Sequence, residues 1–182
     1  MPSFGWSRSI WPAALCLWLS TIPGHAAAPT TLGVPGRTNA TPSIAADAAF
    51  VAVAWGGAEP DGTTDVFLAI SRDAGRTFGA PRRVNDTIGD ARLNGEQPPQ
   101  VALVHRASAD PIVVVVWTTK GKNGTTLRQS RSDDGGQTFS AAATVPGTDA
   151  PGNRGWEAIA VGPDGRVDVI WLDHRELASE TA

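Results

Sequence analysis

The 182-residue chain has no tyrosine, one methionine and a single cysteine. Cys16 lies in an apolar stretch that reads as a removable leader, so neither disulfides nor thiol chemistry are expected in the mature protein. A leucine rather than a small residue precedes that cysteine, which argues against a lipid anchor. Histidine is scarce too, three in all, and His174 has no partner at metal-ligand spacing, so no zinc site is expected. No basic patch is present and the formal charge is −3, which excludes nucleic acid as the expected partner. Beyond residue 26 there is neither a long apolar run nor a basic amphipathic helix, so no membrane association is expected once the leader is gone. Phosphate-cradling glycine loops and a Gly-x-Ser-x-Gly elbow are missing as well, and no cofactor is implied.

What is there begins with that leader. Arg8 supplies a positive start, residues 10–22 are largely apolar, and Pro23-Gly24-His25-Ala26 resembles a small-residue cleavage site. Residues 1–26 therefore read as a secretory signal peptide, and the protein is expected to be secreted or periplasmic. Removing 26 of 182 residues leaves 156, ample for one core. The charge moves from −3 to −4, because Arg8 leaves and no acid goes with it. Three Asn-x-Thr triplets, at Asn39, Asn85 and Asn123, are given no role.

The mature chain repeats itself. Ser71-Arg-Asp73-Ala-Gly75-Arg-Thr77-Phe78 recurs 61 positions later as Ser132-Asp-Asp134-Gly-Gly136-Gln-Thr138-Phe139. Such a segment is a self-contained hairpin turn. The aspartate accepts backbone N–H groups just ahead of it, the glycine supplies a left-handed position, and the hydroxyls tie the two arms. Around each turn lie short β-rich runs bounded by Gly, Pro, Asp or Asn. They cover 42–47, 50–55, 65–71 and 81–85 in the first unit, and 99–105, 112–118, 125–131 and 142–145 in the second. The run Ile112-Val-Val-Val-Val-Trp117 is apolar on both faces, as suits a sheet sandwiched between sheets. A third unit starts at 156–161 and 167–171. Trp55, Trp117 and Trp171 share one repeat position and are expected to pack between sheets.

Both eight-residue segments resemble the Asp-box, or BNR repeat, of bacterial and animal sialidases. The resemblance covers most of the chain after the leader. It implies an all-β fold, a partial Asp-box β-propeller of two four-stranded antiparallel blades (41–85 and 97–146) and part of a third (156–182), after a lead-in at 27–40. Propellers close with about 4 to 8 blades. Strand-to-box spacing puts a third box at 186 or 187, past Ala182, so the chain is expected to be the N-terminal part of a longer one. A short open stack of sheets, or an oligomer that closes between chains, is the other arrangement. Ser71, Asp73, Gly75, Thr77, Phe78, Ser132, Asp134, Gly136, Thr138 and Phe139 are, by the resemblance, structural turn residues far from any catalytic pocket.

Strand parity separates two rims. Turns joining first to second and third to fourth strands share one rim, the box rim; residues 56–64, 86–97, 119–124, 147–155 and those after Trp171 form the other. The resemblance implies an arginine triad for a sugar carboxylate there, an aspartate acid/base and a tyrosine nucleophile. This chain departs from that pattern. It has no tyrosine, and where those enzymes carry Arg-Ile-Pro it has Ala40 before Pro42 and Gln97 before Pro99. Arg37 is the substitute candidate for a carboxylate ligand. Asp173, Arg175 and Glu176, beside His174, are the candidates for acid–base or orienting work. Arg154 and Trp156 are the candidates for substrate binding, the indole as a platform for a sugar ring. Two functions follow: an exo-α-sialidase-type glycoside hydrolase releasing terminal sialic acids, inactive as this fragment, or a non-catalytic propeller that binds a glycan, glycoprotein or other protein.

Overall fold

A computed structural model describes residues 29–121 and 123–176. The expected signal peptide and residues 177–182 lie outside the described residues. Every described element is a strand, in three separate antiparallel sheets. The first sheet is β1 (Thr38–Asp47), β2 (Phe50–Ala58), β3 (Thr64–Ser71) and β4 (Arg82–Arg83), in chain order. The second is β5 (Gln100–Val104), β6 (Ile112–Gly121), β7 (Gly124–Ser132) and β8 (Ala143–Thr144), again in chain order. β9 (Arg154–Val161) and β10 (Val167–Asp173) make the third. The described chain is all-β, with sheets of four, four and two strands, and none of them closes on itself.

β6 explains the stacking. Val113, Val115 and Trp117 turn one way, into a core with Ala52, Ala54, Val66 and Leu68 of the first sheet. Val114 and Val116 turn the other way and meet Ile159, Val167, Val169 and Trp171 of the third. All five β6 residues are at most 6% exposed, so the strand has no wet face and needs no polar alternation. Trp117 and Trp171 therefore pack between sheets, as their shared repeat position implies. Trp55 does not: it packs with Phe67 and Phe78 against Leu32 and Val34 of the lead-in. Its Nε1 donates to Asn39 Oδ1 at 2.9 Å, which satisfies the indole where, among the described residues, the lead-in rather than a neighbouring sheet covers it.

Fourth strands are shorter than the sequence implies, two residues each. Past each, one more backbone bond forms, Val84 N to Val66 O (2.8 Å) and Val145 N to Leu127 O (2.9 Å), before side chains take over. Asn85 Oδ1 accepts the Val66 amide (2.8 Å) in the first sheet, and Thr148 Oγ1 accepts the Leu127 amide (3.3 Å) at the matching place in the second. The first strands of the first and third sheets begin earlier than expected, because a β-bulge carries the chain through their opening; β5 begins at Gln100, one residue later than expected. Thr41 and Pro42 together oppose Trp55, and Trp156 and Glu157 together oppose Trp171. The first bulge residue has a left-handed φ in both cases, 54° at Thr41 and 53° at Trp156. Proline has no N–H to give a ladder, so a bulge is where it fits.

Candidate functional site

The two box turns are built alike. Ser71 Oγ donates to Asp73 Oδ1 (2.7 Å) and accepts the Gly75 amide (2.9 Å); Ser132 Oγ does the same with Asp134 (2.7 Å) and Gly136 (2.8 Å). Asp73 then accepts the Thr77 amide (2.8 Å) and hydroxyl (2.7 Å), and Asp134 the Thr138 amide (2.9 Å) and hydroxyl (2.6 Å). Asp73 thus accepts three hydrogen bonds and Asp134, with the Gln137 amide, four, so both carboxylates are engaged in holding their own turns. The Thr77 amide and hydroxyl hold the Asp73 carboxyl down at about 2. Hydrogen bonds from Thr138, hydroxyl first, hold Asp134 well below the usual carboxylate range. Phe78 and Phe139 fold back onto the first-sheet and inter-sheet cores.

Inter-sheet contacts sort onto two rims. On the box rim Arg72 grips Asp110 (2.9 and 2.7 Å) and reaches Gly135 O (3.2 Å), while His105 Nδ1 lies 2.7 Å from Asp47 Oδ2. Opposite them, Arg92 N donates to Thr118 O (2.8 Å), Thr125 Oγ1 to Arg154 O (2.6 Å) and Gly152 N to Asn123 O (2.9 Å). Antiparallel hairpins allow no other division, since successive turns alternate ends.

The candidate residues divide in turn. Arg37 is at the lead-in end of the opposite rim, away from the others. Its guanidinium donates to Asp65 Oδ2 (2.8 Å) and Gly57 O (2.9 Å), pairs with Glu59 (2.6 Å) and lies 5.1 Å from the Phe67 ring centroid. Asp65 is fully buried. Burial pushes its carboxyl up, but the Gly89 amide, Asn85 and Arg37 outweigh that and leave it below the usual range. Arg37 thus answers protein carboxylates already.

Arg154, Asp173, Arg175 and Trp156 do come together, around the β9–β10 opening. The Arg154 side chain is wholly buried and acts as a staple: it donates to the carbonyls of Ala150, Pro151 (3.2 Å) and Gly152 (3.1 Å) and to Asp173 Oδ2 (3.4 Å). Asp173 also pairs with Arg175, whose Nε (2.9 Å) and amide (3.0 Å) both donate to it. The Arg175 hydrogen bonds hold the Asp173 carboxyl far below its ordinary value, so it stays ionised and is a clamp rather than a proton donor. Glu176 is exposed at the same rim.

Trp156 is different. It is 42% exposed, and its ring stacks obliquely on His174 with centroids 5.4 Å apart. The bulge is the cause: doubling up opposite Trp171 turns Trp156 outward and its neighbour Glu157 inward. Trp156 and His174 wall a cleft of about 190 Å³ completed by Arg92, Asn94, Gln97, Thr125, Asn153 and Arg154. Arg92 is exposed, and among the described residues its guanidinium has no ion-pair partner. Gln97 comes so close to Gly155 that a Cβ there would sit 2.3 Å from its Nε2, so a larger residue would push the Gln97 carboxamide aside. An aromatic face, a cation and several carboxamides suit a hydroxylated ring carrying a negative group. Among the described residues no carboxylate lines the cleft.

Arg92, Asn94, Gln97 and Asn153 were not legible as site residues, because polar loop positions carry no period. Glu157 was. It stands where the first two units have Pro42 and Pro99, and a carboxylate replacing a repeated proline is a signal. It is 4% exposed, accepts from the Thr118 hydroxyl (3.0 Å) through one oxygen, and its Oε1 has no partner among the described residues. Burial pushes its carboxyl up, only partly offset by hydrogen bonds from its own amide and Thr118.

No family model, no curated protein and no solved structure matches the chain.

Proposed function

We propose that the three sheets are successive blades of an Asp-box β-propeller, exported by its leader, and that the rim opposite the box turns binds a glycan without cleaving it. The observation that carries this reading is the cleft: an outward-facing Trp156 beside Arg92, Asn94 and Asn153. The repeated box turns and the Val-rich strand sandwiched on both faces support the propeller. Binding is favoured over hydrolysis by the state of the carboxylates. A general acid needs a raised affinity for its proton within reach of the leaving oxygen. Asp173 is held ionised, and Glu157, whose carboxyl is raised, does not line the cleft.

The test is retention on an immobilised glycan panel that includes acidic sugars. Trp156→Ala is expected to weaken retention about tenfold, a loss of about 1.4 kcal/mol in binding, with the thermal midpoint nearly unchanged. Equal retention of the variant, or none by the wild type, overturns the reading. The sialidase-type alternative draws on the box turns alone, and release of a fluorogenic sialoside above background would establish it instead.

A further inference from the structure

Two of the five asparagines in the chain are followed by glycine, Asn94 and Asn123, and both lie on the rim opposite the boxes. An Asn-Gly step is chemically labile. Glycine has no Cβ to shield its amide nitrogen, and its backbone swings freely enough to bring that nitrogen onto the preceding carboxamide carbon. The fold treats the two pairs in opposite ways.

Asn94 is locked. Its Oδ1 accepts the Glu96 amide (2.9 Å), its Nδ2 donates to Gln97 Oε1 (3.2 Å), and its own carbonyl accepts the Gln97 amide (3.1 Å). This Asx-type turn fixes the carboxamide facing forward, away from the Gly95 nitrogen. Asn123 is exposed where the β6–β7 hairpin turns back, and its carboxamide has no partner among the described residues. Gly124 follows it with a φ of 128°, a conformation closed to other residues.

We infer that Asn123 is a self-modification site, converting to aspartate and isoaspartate in the folded protein while Asn94 is protected. The Gly124 nitrogen bonds to Asn123 Cγ as the Cγ–Nδ2 bond breaks, and the displaced amine leaves as ammonia with the proton from Gly124. Water then opens the cyclic imide. Addition at Cγ returns a normal chain with aspartate, and addition at the main-chain carbonyl returns isoaspartate.

The position gives the change a consequence. Asn123 O accepts the Gly152 amide (2.9 Å), and Gly152 O accepts the Thr125 amide (3.1 Å). The crossing is tight: a Cβ on Gly124 would sit 2.0 Å from Gly152 O. Isoaspartate inserts a methylene into the main chain at this crossing, and either product places a new negative charge in the same hollow as Asp149. The 150–152 carbonyls disturbed are those stapled by Arg154 under the cleft.

The experiment ages the full-length protein at body temperature and mildly alkaline pH and follows each asparagine by peptide mass mapping, with isoaspartate counted by its methyltransferase. A parallel sample is aged in urea. In the native sample Asn123 is expected to convert at least about tenfold faster than Asn94, the advantage that loss of two hydrogen bonds confers. In urea the two are expected to convert at similar rates. Native conversion of Asn94 as fast as Asn123, or no native conversion of Asn123 while the urea sample reacts, overturns the inference.

Discussion

Arg154→Met separates a structural arginine from a ligand arginine. Methionine keeps the apolar stem and removes the guanidinium, whose side chain is entirely buried. The carbonyls of Ala150 and Pro151 lose the guanidinium, that of Gly152 keeps only the Thr125 amide, and Asp173 loses one of its two arginines while keeping Arg175. A hydrogen bond to a charged group contributes about 1.5–3 kcal/mol when buried. The acceptor loop is half exposed, so water recovers part of that, and the net loss is about 3 kcal/mol. With a urea slope of about 2 kcal/mol per molar, the unfolding midpoint falls by about 1.5 M. Tryptophan fluorescence in a urea titration reads this directly. A midpoint lowered by less than about 0.5 M, together with lost glycan retention, would mean that the guanidinium serves a ligand and that the staple is incidental.

Other expectations follow from single residues. Glu157→Gln should flatten the pH dependence of stability. The wild-type carboxyl is raised from its ordinary 4.5, so its protonated form stabilises the fold below that value and the contribution is lost as pH climbs through the folded-state value. Thermal melts from acid to neutral pH check it, and parallel curves for wild type and variant would refute it. At the first box, Ala74 has a left-handed φ of 59° where the second box has Gly135. Ala74→Gly should stabilise and Gly75→Ala destabilise, each by about 1 kcal/mol, because a Cβ at Gly75 meets nothing and only the backbone term acts. Urea midpoints moving the other way would refute that account. Trp117→Ala should cost about 3–5 kcal/mol, since the side chain is fully buried between two sheets, and a loss near 1 kcal/mol would mean that the sheets do not pack there.

Much of the architecture was legible because it rests on local chemistry. Ser71, Asp73 and Thr77 bond to one another within seven residues, so an eight-residue string specifies the turn, and its recurrence at Ser132 specifies a second sheet of the same order. Val113 to Trp117 announced a strand with two dry faces for a similar reason, since burial on both sides removes the need to alternate. The partner of Trp55 was not legible, because the repeat says which position is buried and not which segment covers it.

Sequence by itself determined the strand order, the paired box turns and the sharing of rims, because each follows from hydrogen bonds between near neighbours and from the alternation of antiparallel turns. Tertiary structure alone decided which charges are free. Arg37 and Arg154 looked like ligand arginines and are held by Asp65, Glu59 and the 150–152 carbonyls, whereas Arg92, one charge among several on that rim with no role assigned to it, stands unpaired in the cleft among the described residues. An ionic or carbonyl partner tens of residues away leaves no trace in spacing. The outward turn of Trp156 likewise arises from a bulge opposite Trp171, a register event between two strands that no single stretch of sequence contains.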